Sequence, residues 1–281
     1  MAESFLYRII CGFFLGLSIL APGFSGSIVM ITMGIYEDII HIFSNPFKDF
    51  KKNVMYMLPL AIGGFVSAIL FVLLFKFLFD HYLKVTYFLF VGLIGGNLPV
   101  IVNVIKRHGF RRHYWIGVVG AFAAAFTMSV VSIGTDKTMG AEDMTVGLYM
   151  LAASGFMTGS VGFIPGMSVT TVLISLGVYG PLIHIAESLI GMDFAYIIHL
   201  AVFGGAAVIG LVITSNGIKA LFEKFPGFAN ASVLGFLLGS LAGILLQAVA
   251  MPDVNFTWAA GVLTLLAGFV GSVLFIRSLG K

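Results

Sequence analysis

Ala21-Pro22-Gly23-Phe24-Ser25-Gly26-Ser27 cuts through an otherwise apolar run near the start of the chain. Proline and glycine end a helix there, one by lacking an N–H and the other by its backbone freedom, and small hydroxyl residues follow at once. The chain writes the pattern again as Ile164-Pro165-Gly166-Met167-Ser168-Val169-Thr170-Thr171. Pro22 and Pro165 lie 143 positions apart, and the same offset relates many other residues. Gly12 and Gly16 match Gly155 and Gly159; Gly34 and Tyr36 match Gly177 and Tyr179; His41 matches His184. Lys76 matches Lys219, Gly92 and Gly96 match Gly235 and Gly239, and Trp115 matches Trp258. One register held over so long a stretch reads as a duplication. The chain divides into a first membrane unit, 1–137, an external linker, 138–144, and a second unit, 145–281.

Composition names the solvent. Of 281 residues 59% are hydrophobic and only 10% charged, with mean hydropathy +1.09. Soluble domains carry about 25% charged residues, so this chain is read as a multi-pass membrane protein. Cys11 is the lone cysteine, which rules out an intrachain disulfide and suits a packing role. No cleavable signal peptide is expected, because the N-terminal apolar run leads straight into the Pro-Gly break. Nothing points to nucleic acid.

Each unit holds five apolar segments. In the first they are roughly 5–20, 24–43, 54–75, 85–105 and 114–133; in the second, 146–163, 167–186, 195–215, 230–249 and 257–276. The last three of each unit are long enough to cross a hydrocarbon core of about 30 Å. Arg8 leaves about a dozen wholly apolar residues before Pro22, about 18 Å of helix, which predicts a re-entrant hairpin rather than a crossing. The second unit has no charged residue between Asp143 and Glu187, so length alone permits a full crossing there. Either way each unit crosses an odd number of times. Tandem odd units emerge with opposite orientation, related by a pseudo-two-fold axis in the membrane plane. The expected fold is an all-α polytopic membrane protein of two inverted-topology repeats, with about six full spans plus two hairpins, or ten spans.

Charge sets the sidedness. With the N-terminus in the cytoplasm, Arg8, the 48–52 and 106–112 clusters, Lys219, Lys224, Arg277 and Lys281 all fall inside. Only Lys76, Lys84 and Lys137 fall outside, which is a positive-inside pattern with both termini cytoplasmic.

A break in the bilayer frees backbone groups that must face protein or a wet cavity. A helix is expected to restart near Ser27 in the first unit and near Thr170 in the second, where Ser and Thr suit an N-cap. Orphan N–H groups, the positive end of the dipole and glycine's close approach together suit an anion. The candidate binding residues are Gly23, Ser25, Gly26 and Ser27, with Gly166, Ser168, Thr170 and Thr171; Arg8 reads either as a charge that snorkels to the interface or as a further partner. Glu37 reads as a cytoplasmic surface charge, and His41 and His184 as interfacial packing. The repeated glycine pairs read as helix-packing faces, and Trp115 and Trp258 as interface anchors. No metalloprotease, metal-cluster or nucleotide-binding motif is present, and the apolar segments hold almost no carboxylates. No cofactor, metal or catalytic residue is expected, and the chain is not read as an enzyme.

Ala-Pro-Gly-Phe-Ser-Gly-Ser followed by Met33-Gly-Ile-Tyr-Glu37, and its echo Pro-Gly-Met-Ser-Val-Thr-Thr followed by Leu176-Gly-Val-Tyr179, resembles the PopT-type polyprenyl-phosphate transporters. The resemblance covers essentially the whole chain. Val169 stands where the first unit has Gly26, and Gly180 where it has Glu37. What the resemblance implies is a flippase that returns undecaprenyl phosphate from the outer to the inner leaflet of the bacterial cytoplasmic membrane, recycling it for cell-wall biogenesis. A proton or sodium gradient is the open question of coupling. Two other readings stand beside it: a secondary transporter of a soluble anion using the same tips, and an intramembrane lipid-modifying enzyme.

Overall fold

The computed structural model describes residues 5–22, 26, 29–30, 33–44, 48–108, 111–134, 147–162, 168–251 and 256–279. The linker at 138–144 lies outside them, as does much of the expected segment 24–43. The described residues form an all-helical protein: α1 (Phe5–Leu20), α2 (Tyr36–Ser44), α3 (Phe50–Gly95), α4 (Leu98–His108), α5 (Tyr114–Gly134), α6 (Leu148–Val161), α7 (Val169–Ser175), α8 (Tyr179–Ile190), α9 (Ile197–Lys224), α10 (Pro226–Ala250) and α11 (Trp258–Leu279).

Four of these stretches are long and apolar enough to cross a membrane: Phe50–Arg107, Ile197–Thr214, Pro226–Ala250 and Trp258–Arg277. The bent pair α7–α8 makes a fifth if it counts as one span, and Phe5–Ser18, Tyr114–Val130 and Leu148–Val161 are shorter apolar helices. Large apolar side chains such as Phe65, Ile116 and Leu263 stand exposed on the outside. That suits a lipid solvent and no aqueous one.

The third and fourth segments of the first half follow one another through α3 as two helices joined across a kink at Tyr82 (φ −138°, ψ 39°), which falls between the two expected segments. The matching position in the second half is Phe225, where α9 ends and α10 begins, with φ −133° and ψ 56°. The same departure from helical geometry thus recurs 143 positions on, and Pro226 after it can only open a new helix.

Glycines set the packing. A Cβ on Gly12 of α1 would overlap the Leu60 carbonyl of α3, and one on Gly155 of α6 would overlap the Phe203 carbonyl of α9. The two contacts are again one offset apart. Gly92 of α3 lies on the Leu265 carbonyl of α11, and Gly235 of α10 on the Val118 carbonyl of α5. The fourth and fifth segments therefore pack across halves, each unit's last helix lying on the other unit. The glycine pairs expected as packing faces take that role.

Where α7 ends, Gly177 has φ +68°, and Val178 N–H reaches back to the Leu173 carbonyl at 3.0 Å. Gly34 has φ +70°, and Ile35 N–H reaches the Met30 carbonyl at 3.0 Å. Each is a left-handed C-cap of the Schellman kind, which glycine alone adopts without strain. In the second half this cap turns the chain by 112° between α7 and α8. The core around the turn is aromatic. Phe75, Phe79 and Phe90 of α3 surround Tyr179 of α8 at centroid distances of 6.0, 5.8 and 6.0 Å, all edge-on.

Candidate functional site

The second break is described from Ser168 onward. Ser168 stands before α7 in extended conformation (φ −101°, ψ 128°) and its side chain caps no backbone N–H. The helix therefore begins one residue before the expected start near Thr170, and Ser168 holds the cap position. Its hydroxyl instead lies 2.8 Å from the Thr170 hydroxyl, both buried. Thr170 Oγ1 in turn donates to the Ala21 carbonyl at 3.4 Å, and Tyr179 donates its hydroxyl to the Leu20 carbonyl at 2.6 Å. Leu20 and Ala21 are the last residues before Pro22. The carbonyls at the C-terminal end of α1 thus accept hydrogen bonds from the second half's hydroxyls. The two breaks meet.

Thr171 Oγ1 and Thr158 Oγ1 are buried and have no hydrogen-bond partner among the described residues. Leaving such groups dry and unpaired costs about 1–3 kcal/mol each, which favours a polar guest or water. Gly26 lies close to α1, where an added Cβ would sit 3.4 Å from Ser18 Oγ and 3.5 Å from Leu15. The chain past the first break has therefore doubled back along α1. Gly23, Ser25, Ser27 and Gly166 lie outside the described residues.

Arg8 is not at the breaks. It sits at the far end of α1, about 20 Å of helix from Ala21 at 1.5 Å per residue, with its guanidinium 4.3 Å above the Tyr56 ring. There it lines a cavity of about 630 Å³ with Asp49, Phe50, Lys51, Lys52, Met55 and Tyr56. Of the two sequence readings of Arg8, this position suits the charge that snorkels to an interface, because the rigid length of α1 separates it from the tip. No group of three or more metal-ligating side chains occurs among the described residues.

A model of the undecaprenyl phosphate translocase-like family matches residues 42–255, about three-quarters of the chain. The chain belongs to that family. In the undecaprenyl phosphate translocase-like family the chain is also similar to a curated relative from Staphylococcus aureus (strain NCTC 8325 / PS 47). That protein is a polyprenyl-phosphate transporter, 26% identical over 271 residues that cover 95% of this chain and 94% of the relative. No solved structure matches the chain significantly.

For this member of the translocase-like family the sequence reading missed three features. Tyr179 was seen only as half of a repeated Gly-x-Tyr, yet its hydroxyl joins the halves. Lys84 looked like an external surface charge. It is buried, donates to the Met251 carbonyl at 3.0 Å, and sits 4.6 Å from the Phe256 ring. A cation beside Phe256 and Trp258 and the carbonyl end of α10 is well held. Lys76 pairs with Glu187, whose second oxygen lies 4.0 Å from His184 Nδ1. That group ties α3 of the first half to α8 of the second; only the His41/His184 and Lys76/Lys219 matches hinted at it.

Proposed function

We propose that this chain moves polyprenyl phosphate, with undecaprenyl phosphate as the natural carrier, from the outer to the inner leaflet of a bacterial cytoplasmic membrane. The observation that carries the proposal is the junction of the two breaks, Thr170 on Ala21 and Tyr179 on Leu20. The name of the family and that of the staphylococcal relative supply the substrate class. An amphiphile with one phosphate needs a polar path for the head only. Thr171, next to Thr170 in α7, and Thr158 in α6 carry buried hydroxyls with no hydrogen-bond partner among the described residues, and the prenyl chain stays in lipid.

The inverted-repeat reading draws support from recurrences at one offset: left-handed Gly34 and Gly177, non-helical Tyr82 and Phe225, and the glycine contacts on Leu60 and Phe203. Counting the kinked α3 with α4 as two passages and including α5 gives six crossings with α9, α10 and α11. The α7 limb is about 10 Å long before its 112° turn, which suits a tip that stops midway. Alternating access follows from rocking of the two units around the shared junction. The head group is held at the tips by Gly23, Ser25, Gly26 and Ser27 from one side and Gly166, Ser168, Thr170 and Thr171 from the other. Backbone N–H and hydroxyl groups suit a phosphate oxygen there.

The test is reconstitution in liposomes, following undecaprenyl phosphate between leaflets with and without proton and sodium gradients. The wild type accelerates exchange over empty liposomes. The Ser25→Ala/Ser168→Ala double variant inserts normally and loses about tenfold in rate, the size of one charge-assisted hydrogen bond. Unchanged flux in the double variant defeats the site, and no acceleration by wild type defeats the function.

A further inference from the structure

We infer that the cavity at the foot of α1 is a second phosphate site, a receiving station for the head group of a phosphomonoester lipid on the cytoplasmic side. This rests on the transport reading above, which supplies the lipid and the sidedness; the cavity itself stands on its own observations.

The cavity holds about 630 Å³ and is lined by Arg8, Lys51, Lys52, Asp49 and Tyr56, with Phe50 and Met55 at its rim. Three cations and one carboxylate line the cavity, and a second carboxylate, Asp38, is bonded to the lining Tyr56, so the site keeps a net positive charge. A phosphomonoester at neutral pH carries about −1.5 to −2. Its charge and its three acceptor oxygens suit a cluster of one guanidinium and two ammonium groups.

Arg8 is built to receive such a ligand. Its guanidinium is parked on the Tyr56 ring at 4.3 Å, and Tyr56 is itself fixed by donating 2.8 Å to Asp38 Oδ2. Arg8 Nε is buried and has no hydrogen-bond partner among the described residues. A buried, unpaired guanidinium N–H is costly, and an oxyanion is its natural complement. Lys51 and Lys52 point the same way. They occupy the first turn of α3, which holds no acidic residue, and cations there work against the helix dipole. The backbone does not require them: the matching positions in the second half are Phe194 and Ala195, and Arg8 matches Leu151.

The rim fits a lipid. Phe50 and Met55 are more than 60% exposed, so a prenyl chain leaves the cavity over apolar surface while the phosphate stays among the cations. The distance along α1 from the junction to Arg8 is about 20 Å, a path from mid-membrane to one interface. The site therefore captures the head group as it leaves the tips and raises the chance that it stays inside.

The experiment is photo-crosslinking in nanodiscs with a short-chain prenyl phosphate bearing a diazirine next to the phosphate, with labelled peptides mapped by mass spectrometry. The expected result is labelling within 49–56. Excess unlabelled prenyl phosphate suppresses it; the matching prenyl alcohol, phosphatidylglycerol and millimolar inorganic phosphate do not. Arg8→Gln/Lys51→Gln/Lys52→Gln lowers it about tenfold or more. Arg111→Gln/Lys224→Gln, at a separate basic cavity, leaves it unchanged. Matching melting temperatures in detergent separate lost binding from lost folding, and a misfolded triple variant is replaced by Lys51→Gln/Lys52→Gln.

Absence of label in 49–56 overturns the proposal. So does equal competition by phosphatidylglycerol, which makes the cluster a general anchor for anionic lipid, and so does protection by inorganic phosphate alone, which assigns it to the free ion. Flux measured in parallel separates the two readings. Labelling without wild-type flux sinks the transport reading and keeps the phosphate site; flux without labelling does the reverse.

Discussion

Asp49 and Met192 stand 143 positions apart, and both hold left-handed backbone, at φ 58° and 61°. Each lies just before a long helix, α3 or α9, and each follows a helix that leaves a Schellman turn. The chemistry around them is opposite. Near Asp49 stand Lys51, Lys52, Tyr56 and Arg8; at the matching positions near Met192 stand Phe194, Ala195, His199 and Leu151. Leu151 is fully buried, whereas Arg8 lines an open cavity. The backbone conformation recurs at matching positions while the charges do not. The difference separates what the fold needs from what the function adds.

The sharpest way to use it is to write the second half's residues into the first. Arg8→Leu/Lys51→Phe/Lys52→Ala gives the foot of α1 the side chains that the other end of the molecule already carries on the same backbone. The expected outcome is a correctly inserted protein that moves undecaprenyl phosphate in liposomes about tenfold more slowly or worse. Initial exchange rates check it. Wild-type rates in this variant mean that the charges serve topology alone.

A second experiment tests sameness instead of difference. Gly12→Ala and Gly155→Ala each push a methyl group into a backbone carbonyl, Leu60 in one half and Phe203 in the other. Neither carbonyl is a flexible side-chain end, so α1 must move off α3 and α6 off α9. Each substitution costs about 1–3 kcal/mol, as overpacking does, and the two costs agree. Unfolding midpoints in detergent measure them. A gap of more than about 1 kcal/mol shows that the hairpin bases are not equivalent.

Much of this architecture was legible in the sequence because it rests on residues with few substitutes. The register of the duplication came from glycine, proline and tryptophan, and those residues mark backbone events: Gly34 and Gly177 take positive φ, and Gly12 and Gly155 let helices touch. That the end of α1 and the start of α7 lie together matches the expectation that the two breaks face each other. The bonds that join them were not legible, because Thr170 reaches Ala21 and Tyr179 reaches Leu20 through backbone carbonyls, which every residue has. The kink at Tyr82 falls between the expected segments 54–75 and 85–105, but its exact place was not legible, because neither Tyr82 nor Phe225 breaks helices; Pro226 alone hinted at it. Arg8 admitted two readings in the sequence, and the rigid length of α1, about 20 Å from Arg8 to Ala21, sets it at the end of the helix away from the break. Lys84 was misjudged because burial of a lysine depends on partners far along the chain, here the Val249 and Met251 carbonyls and the Phe256 ring.

The left-handed pair itself yields the finest comparison. Asp49 and Met192 share a backbone conformation that costs a residue with a Cβ roughly 1–2 kcal/mol. Asp bears it better than Met, because a short polar side chain can bond locally in that region. Replacement by glycine removes the strain and adds roughly 0.5–1 kcal/mol of unfolded-state entropy. Met192 is 79% exposed, so little burial is lost with its side chain. Met192→Gly should therefore stabilise the protein by about 0.5 kcal/mol. Asp49 makes no side-chain cap bond to its helix, so Asp49→Gly loses none, yet it also relieves less strain and should change stability by about zero. Unfolding midpoints of the two variants, compared in one detergent, check the order. If Asp49→Gly proves the more stabilising, the carboxylate is under electrostatic strain of its own. Crowded by Arg8, Lys51 and Lys52 it should be favoured rather than strained, so that result would count against the charge arrangement on which the receiving station depends.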